Sequence, residues 1–425
     1  MLKVRFFRLA YVLIFYQLLS LLLASCSSNN SLEGDRIALV PESEHLGLNN
    51  PGKNISIPQP ELIQKWSQFL TGPRRLPANI KLLSAEPFKP FRILNTSSRS
   101  SILSPILISD TLYFLDEYGF VHASTTNGSL VWSEKIFHTK DFSIDVFNGG
   151  LSYHKGALYL TTPSGSLVSI DAKSGKILWR YTFGQPFRSF PLVYRDKIFV
   201  VTGDDLGVSF SLDGKLLWTF SGETQETSVT QSASPSAYRG RVYFPFSSGG
   251  IYVVDFQNGR NFWKQFFTSA AIGEGTSLIS DFGGNPILTK LGIVTSSFSG
   301  QTIFIDFNGR VVWKQSIGTT VSPLVVGSDL FLIARSGFLV RLDLDSGEVV
   351  WSRRLDDYNG KKYFEPILVN GSILISRNDR KLSLYSPING SLIMEKSLRG
   401  VVSSSPISYN GELYIPLSNG KLQVF

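Results

Sequence analysis

The chain of 425 residues is long for one ordinary domain but of normal size for a repeat architecture that counts as one unit. Its 43% hydrophobic and 13% aromatic content, with Val, Ile, Leu, Ser and Gly prominent, favours half-buried strands over helices. The net charge of +8 is too mild and scattered for a nucleic-acid partner, and the single cysteine, Cys26, excludes an internal disulfide framework or a Cys-based zinc cluster.

In chain order, residues 1–25 begin with Lys3, Arg5 and Arg8, continue through an apolar run from Leu9 to Ala24, and stop at Ser25. A basic start before an apolar stretch too short for a span of ~20 residues reads as a secretory signal. The sequence Leu23-Ala24-Ser25-Cys26 resembles the bacterial lipobox, which implies acylation of Cys26 and makes it the first mature residue. Two or more acyl chains anchor stably, so the expected state is tethered to a membrane rather than embedded in it. Ser27 stands where an aspartate would resemble the inner-membrane retention signal, which implies the outer membrane and its periplasmic face. Residues 26–60 contain no aromatic residue and are rich in Ser, Asn, Gly and Pro, so they are expected to form a flexible tether. The folded domain is expected over 61–425.

Within it, Gly-x-x-x-Trp recurs at Gly128/Trp132, Gly175/Trp179, Gly214/Trp218, Gly259/Trp263, Gly309/Trp313 and Gly347/Trp351, with Gly390/Met394 as a seventh copy. The period matches the ~40–45 residues of a four-stranded propeller blade. The glycine supplies the positive φ of a tight hairpin, and the large ring on the outermost strand can bury itself against the next blade. The last unit stops at Phe425 with three strands, and "ELIQKWSQF", with Trp66, precedes the first full unit. The expected fold is therefore all-β, an eight-bladed β-propeller of four-stranded blades, closed by pairing the N-terminal Trp66 strand with the three C-terminal strands. Trp66 would be the eighth docking position.

Little in the sequence points to bond chemistry. His45, His122, His138 and His154 lack metal-ligand spacing, and Asp171, Asp255, Asp306 and Asp343 recur at one blade position, as turn caps do. Asp204 and Asp205 read as a polar turn. The connection from Gly72 to Arg99 is basic and longer than a blade needs, and reads as a solvated loop or one that meets an acidic partner or a phosphate-rich membrane surface. No catalytic residue, cofactor or metal is assigned.

"DAKSGKILW", Asp171 to Trp179, resembles the tryptophan-docking repeat of quinoprotein-type propellers. Pyrroloquinoline-quinone dehydrogenases share it, but they hold quinone and calcium in a funnel built with long insertions that this chain lacks, and many have a cysteine pair. The BamB family, lipoproteins of the machinery that folds β-barrels into the outer membrane, matches better: lipobox, aromatic-poor leash, Trp strand and eight blades. That resemblance implies a non-enzymatic scaffold, a monomer within a hetero-complex containing the barrel-forming subunit and associated lipoproteins. In the family's partner-contacting loop Leu-Ser-Leu-Arg precedes a blade proline. Here "TSVTQSASP" places Val229 at the second leucine and Thr230 at the arginine, and "DFGGNP" keeps Asp281 of a following Asp-x-Asp. A quinone dehydrogenase, or a lipoprotein binding glycan or peptide in the funnel, remains the alternative.

Overall fold

A strand with protein against both faces needs apolar side chains at successive positions rather than alternate ones. The second strands of the repeat have this pattern: in Lys197–Val201 the four residues from Ile198 onward are all fully buried. In the computed structural model, which describes residues 53–84, 92–96, 100–138, 149–223, 233–267, 281–298, 300–355 and 361–425, each repeat folds as an antiparallel four-stranded sheet. Eight sheets form a ring, an eight-bladed β-propeller. From the centre outward, blade 1 comprises Ile102–Ile108, Thr111–Asp116, Phe120–Thr125 and Leu130–Lys135. The innermost strands of blades 2 to 8 are Leu151–His154, Leu192–Tyr194, Ser236–Tyr238, Ile287–Leu288, Leu324–Val326, Ile367–Val369 and Ile407–Tyr409.

Successive residues of one strand serve different junctions. Ile198 and Val200 pack with Tyr159 and Leu167 of blade 2, whereas Phe199 and Val201 pack with Val242 and Phe244 of blade 4. The other hydrophobic clusters likewise straddle blades, and each large side chain buried in them contributes about 1.5–3 kcal/mol. A lone blade would leave this surface wet, so blade and ring are stabilised together.

The tryptophans lock these junctions. Trp132, Trp179, Trp218, Trp263, Trp313 and Trp351 each lie against the turn glycine of the following copy: Gly175, Gly214, Gly259, Gly309, Gly347 and Gly390. All but Trp218 also donate the indole N–H to a carbonyl beside that turn, as Trp313 does to Leu344 at 2.8 Å. The glycine has two reasons to be there: Gly347 takes φ +77°, and a Cβ on it would come within 2.6 Å of the Trp313 ring.

Ring closure differs from the expectation. The strand that completes blade 8 is Arg92–Asn95, pairing from Arg92 with Val424 to Asn95 with Lys421. Trp66 is neither the closing strand nor an eighth docking residue. Lys65–Trp66 instead pairs with the inner edge of blade 1, Lys65 with Ile108 and Trp66 with Leu107, and the indole sits in the cluster shared by blades 7, 8 and 1. The inner edge is open there, and the apolar core beyond it accepts the ring. Met394 stands where blade 7 meets blade 8, whose fourth strand is Arg92–Asn95 rather than the continuation of its third, so no hairpin glycine joins them for a tryptophan to cover. Contact with the ring also starts before the expected Glu61. Lys53 pairs with Asp343, its carbonyl accepts from Arg341 at 3.1 Å, and Ile55 and Ile57 pack on the cluster between blades 6 and 7.

Candidate functional site

The innermost strand of every blade exposes N–H and C=O groups toward the central channel, and these need partners. One segment, residues 61–84, meets blade after blade around the channel. The Ile63 carbonyl accepts from Asn410 of blade 8 at 2.8 Å, and Lys65–Trp66 pairs with blade 1. The Ser67 carbonyl accepts from Tyr153 of blade 2 at 2.8 Å. Gln68 bonds both backbone groups of Val193 in blade 3, at 3.0 and 2.9 Å. The Pro73 carbonyl accepts from Ala237 of blade 4 and the Arg74 carbonyl from Leu288 of blade 5. Leu76 packs with Val325 on the cluster of blades 5 and 6, Ile80 bonds Leu368 and Asn370 of blade 7, and Leu83 donates to Gly411 of blade 8. The belt thus returns to the blade where it began.

This course corrects the reading of a solvated basic loop. Arg75 is fully buried and donates to the Phe69 and Pro235 carbonyls at 2.7 and 3.3 Å, and burial brings its pKa down to about 9. Arg74 donates to the Leu288 carbonyl at 2.9 Å and lies over the Tyr238 ring. The connection is long because it circles the channel and then supplies the closing strand. Its bends require left-handed backbone at Leu70, Thr71 and Arg75, a strain that the surrounding bonds must offset.

The belt crosses the end of the channel where first strands turn into second strands. Toward the other end lies a cavity of about 740 Å3, with Trp66, Phe69 and Leu70 among its lining residues. Phe69 stacks on Phe190, also in the lining, at 4.7 Å between ring centres. The lining includes Glu117, Lys362, Glu365 and Ser403 to Ser405. The Ser405 hydroxyl donates to Glu365, yet desolvation dominates and pushes that carboxyl up. Ser403 and Ser404 turn their hydroxyls to the Ile102 carbonyl, at 2.8 and 3.2 Å, and Lys361 pairs with Asp379 at 3.0 Å. A hydrophobic floor under a ring of already bonded polar groups can hold a chain segment or a small ligand. Among the described residues no group of three His, Cys, Asp or Glu side chains is placed to hold a metal ion.

The residues singled out by sequence scatter. Cys26, Val229 and Thr230 lie outside the described residues. Asp281 is buried: its carboxylate faces Arg188 at 3.5 Å and accepts the Phe282 N–H at 2.8 Å. Arg188 also pairs with Asp205, and Asp205 takes the backbone and hydroxyl of Ser247, at 2.8 and 2.5 Å. This buried network ties the entries of blades 3 and 5 to the outer turns of blades 3 and 4. Asp205 is thus more than a polar turn, a role its Gly-Asp-Asp-Leu-Gly context does not signal. Asp171, Asp255, Asp306 and Asp343 each accept backbone N–H groups of their own turns; the Ser174 hydroxyl and then its N–H hold Asp171 below the usual carboxylate range, and backbone N–H groups do the same for Asp306. His122 pairs with Asp116 at 3.0 Å between Phe114 and Phe120.

Known proteins share this architecture. The family profile described as "Outer membrane protein assembly factor BamB" matches residues 118–353. A protein of that name from Yersinia pestis is 19% identical over 352 residues, 80% of this chain and 89% of the relative. The crystal structure of BamB from Moraxella catarrhalis superposes with a TM-score of 0.68 at 19% identity, covering 79% of this chain and 98% of that one. A europium-containing methanol dehydrogenase superposes with a TM-score of 0.67 at 12% identity, over 83% of this chain and 89% of its own. At such identities the solved structures speak for the fold alone.

Proposed function

The chain belongs to the BamB family of outer membrane protein assembly factors, and from that premise we propose that it is a non-enzymatic scaffold lipoprotein of the machinery that inserts β-barrel proteins into the outer membrane. The observation that carries this reading is the length of the match: relatives bearing that name align along about four-fifths of the chain. In this reading an acylated Cys26 anchors the protein at the periplasmic face, and the barrel-forming subunit and its associated lipoproteins are the partners. The belt already occupies the inner strand edges, so the partner meets loops rather than an open sheet. The connection leading into blade 4, with Val229 and Thr230, makes the contact. Asp281 acts as a positioning residue, through Arg188.

Affinity purification from detergent-solubilised membranes tests this. The barrel-forming subunit is expected to come with the acylated protein, and Val229→Asp/Thr230→Asp is expected to reduce its recovery. Acylated protein recovered without any assembly subunit overturns the reading. The cavity gives a second reading, a lipoprotein that binds peptide or glycan in the channel. Specific retention of such a ligand by the purified ring would favour it. The quinone reading shares only the fold, and dye-linked alcohol oxidation after adding the quinone and calcium would revive it.

A further inference from the structure

In each blade the turn between strands one and two and the turn between strands three and four lie at the same end of the ring. At the first of these turns, blades 2 to 5 carry an exposed cation at the tip: Lys155, Arg195, Arg239 and Lys290 in succession. The equivalent tips of blades 6, 7, 8 and 1 are Gly327-Ser328, Asn370-Gly371, Asn410-Gly411 and Ser109-Asp110. The second set of turns repeats the division. Lys173, Lys176, Lys215, Arg260 and Arg310 are exposed on blades 2 to 5, whereas blade 6 presents Asp345 and Glu348. Asp171, Asp196, Asp213, Asp255 and Asp306 offset part of this charge, but the nine cations named outnumber these five aspartates. Asp213 pairs with Lys215 at 2.9 Å, Asp306 with Arg310 at 3.4 Å, and Asp196 lies beside Lys197.

Two of the cations sit in repeated aromatic cages. The Arg195 guanidinium lies 5.3 Å from the Tyr194 ring centre and 4.7 Å from that of Phe256 in the next blade. Arg239 lies 5.1 Å from Tyr238 and 5.5 Å from Phe307 in the blade after it. Stacking holds the fork while its N–H edge can still pair with phosphate. At the blade 5 tip, Leu291 is 58% exposed beside Lys290, the pairing of apolar and basic groups that suits a lipid interface. The chain joins the ring on this same end, at Lys53 beside Asp329 and Asp343 of blade 6.

We propose that the basic arc of blades 2 to 5 is a docking face for an anionic lipid headgroup surface, with the arc of blades 6 to 1, which lacks these cations at its turn tips, turned away from it. Four blades' worth of turn tips form a broad array, which fits a surface of phosphates better than a single acidic segment. The choice of a membrane rests on the anchored-lipoprotein reading, but the binding itself does not need the anchor and is tested without it.

The mature chain from Ser27, without the signal segment and the acylated cysteine, is sedimented with phosphatidylglycerol vesicles and with phosphatidylcholine vesicles. Binding is expected to phosphatidylglycerol alone and to weaken steeply as salt is raised. Each basic residue at such a surface is worth about five-fold in partition, so Lys155→Glu/Arg195→Glu/Arg239→Glu/Lys290→Glu is expected to weaken binding about 600-fold or more while the ring, though it loses two cation–aromatic contacts, still melts cooperatively. Should that variant fail to fold, Lys155→Ala/Lys290→Ala supplies a milder form of the same test, with binding weakened about 25-fold. Equal partition onto both vesicles, or indifference to both variants, overturns the proposal. Binding to soluble polyglutamate in preference to phosphatidylglycerol vesicles overturns it in favour of an acidic protein. Loss of the assembly partners in the purification above, with vesicle binding intact, would remove the scaffold reading and leave this one standing.

Discussion

The junctions from blade 1 to blade 7 and the junction at which the ring closes hold neighbouring blades together by different means. In the first set a tryptophan covers a turn glycine, and the same sequence unit supplies a ring to one neighbour and a seat to the other. At the closure that unit is cut: the third strand of blade 8 ends at Val424, the fourth comes from Arg92–Asn95, and blade 7 offers Met394 in place of tryptophan. There the large cluster of blades 7, 8 and 1, together with Trp66, Ile80 and Leu82 of the belt, replaces the Trp-on-Gly contact. A docking motif is therefore kept only where both of its halves lie on continuous chain.

Breaking the closure should have the largest effect. Deleting Lys421–Phe425 removes the partner of Arg92–Asn95 and opens the core around Leu413 and Tyr414, and no cooperative melting transition is expected by circular dichroism. Trp351→Ala attacks a regular junction, where the indole is buried and bonded to the Pro387 carbonyl. A loss of about 3–5 kcal/mol is expected in denaturant titrations. Gly347→Ala pushes a methyl group into Trp313 and should cost about 2 kcal/mol. Gly156→Ala, at a similar positive φ but with open space around it, should cost only about 1 kcal/mol. Equal costs would mean that the docking contact adds nothing beyond the turn.

Two smaller effects probe the closure itself. Glu365 of blade 7 accepts from Ser405 of blade 8, and burial raises its carboxyl above the usual range. A carboxyl raised on folding favours the folded state at low pH and loses that contribution as pH climbs from its unfolded value through its folded one. Glu365→Gln should therefore melt like the parent near pH 4 and higher than it at pH 7. Met394→Trp should change stability by less than about 1 kcal/mol, because no turn glycine waits to receive the indole. A gain as large as the loss in Trp351→Ala would show that blade 8 has a seat despite lacking the hairpin.

What the sequence could and could not reveal follows the same division. The blades were legible because each carries its turn glycine, its paired apolar strands and its tryptophan at one phase. The match of each tryptophan to the next copy's glycine is implicit in that phase but becomes visible only when copies are placed side by side. Closure was misread at Trp66, because a tryptophan flanked by alternating polar residues mimics an outer strand, whereas Arg-Ile-Leu-Asn is short and unmarked. The places of Arg74, Arg75, Asp205 and Asp281 run against their local sequence, because charge in a Gly- or Pro-rich stretch usually faces solvent or a partner. Their burial depends on carbonyls and counter-charges from other blades, which local sequence does not announce.

The closing pair also sets the order of events when the ring first forms. Arg92–Asn95 is made early and must wait for Lys421–Val424, which follows about 330 residues later. Joining such distant segments costs entropy that grows only slowly with separation, but contacts this remote slow the search. Until Phe425 arrives, blade 8 presents an unpaired edge able to recruit strands from other chains. The interval between synthesis of the two closing segments is therefore when this protein most needs a chaperone, and a product stalled before Lys421–Val424 should aggregate through blade 8 first.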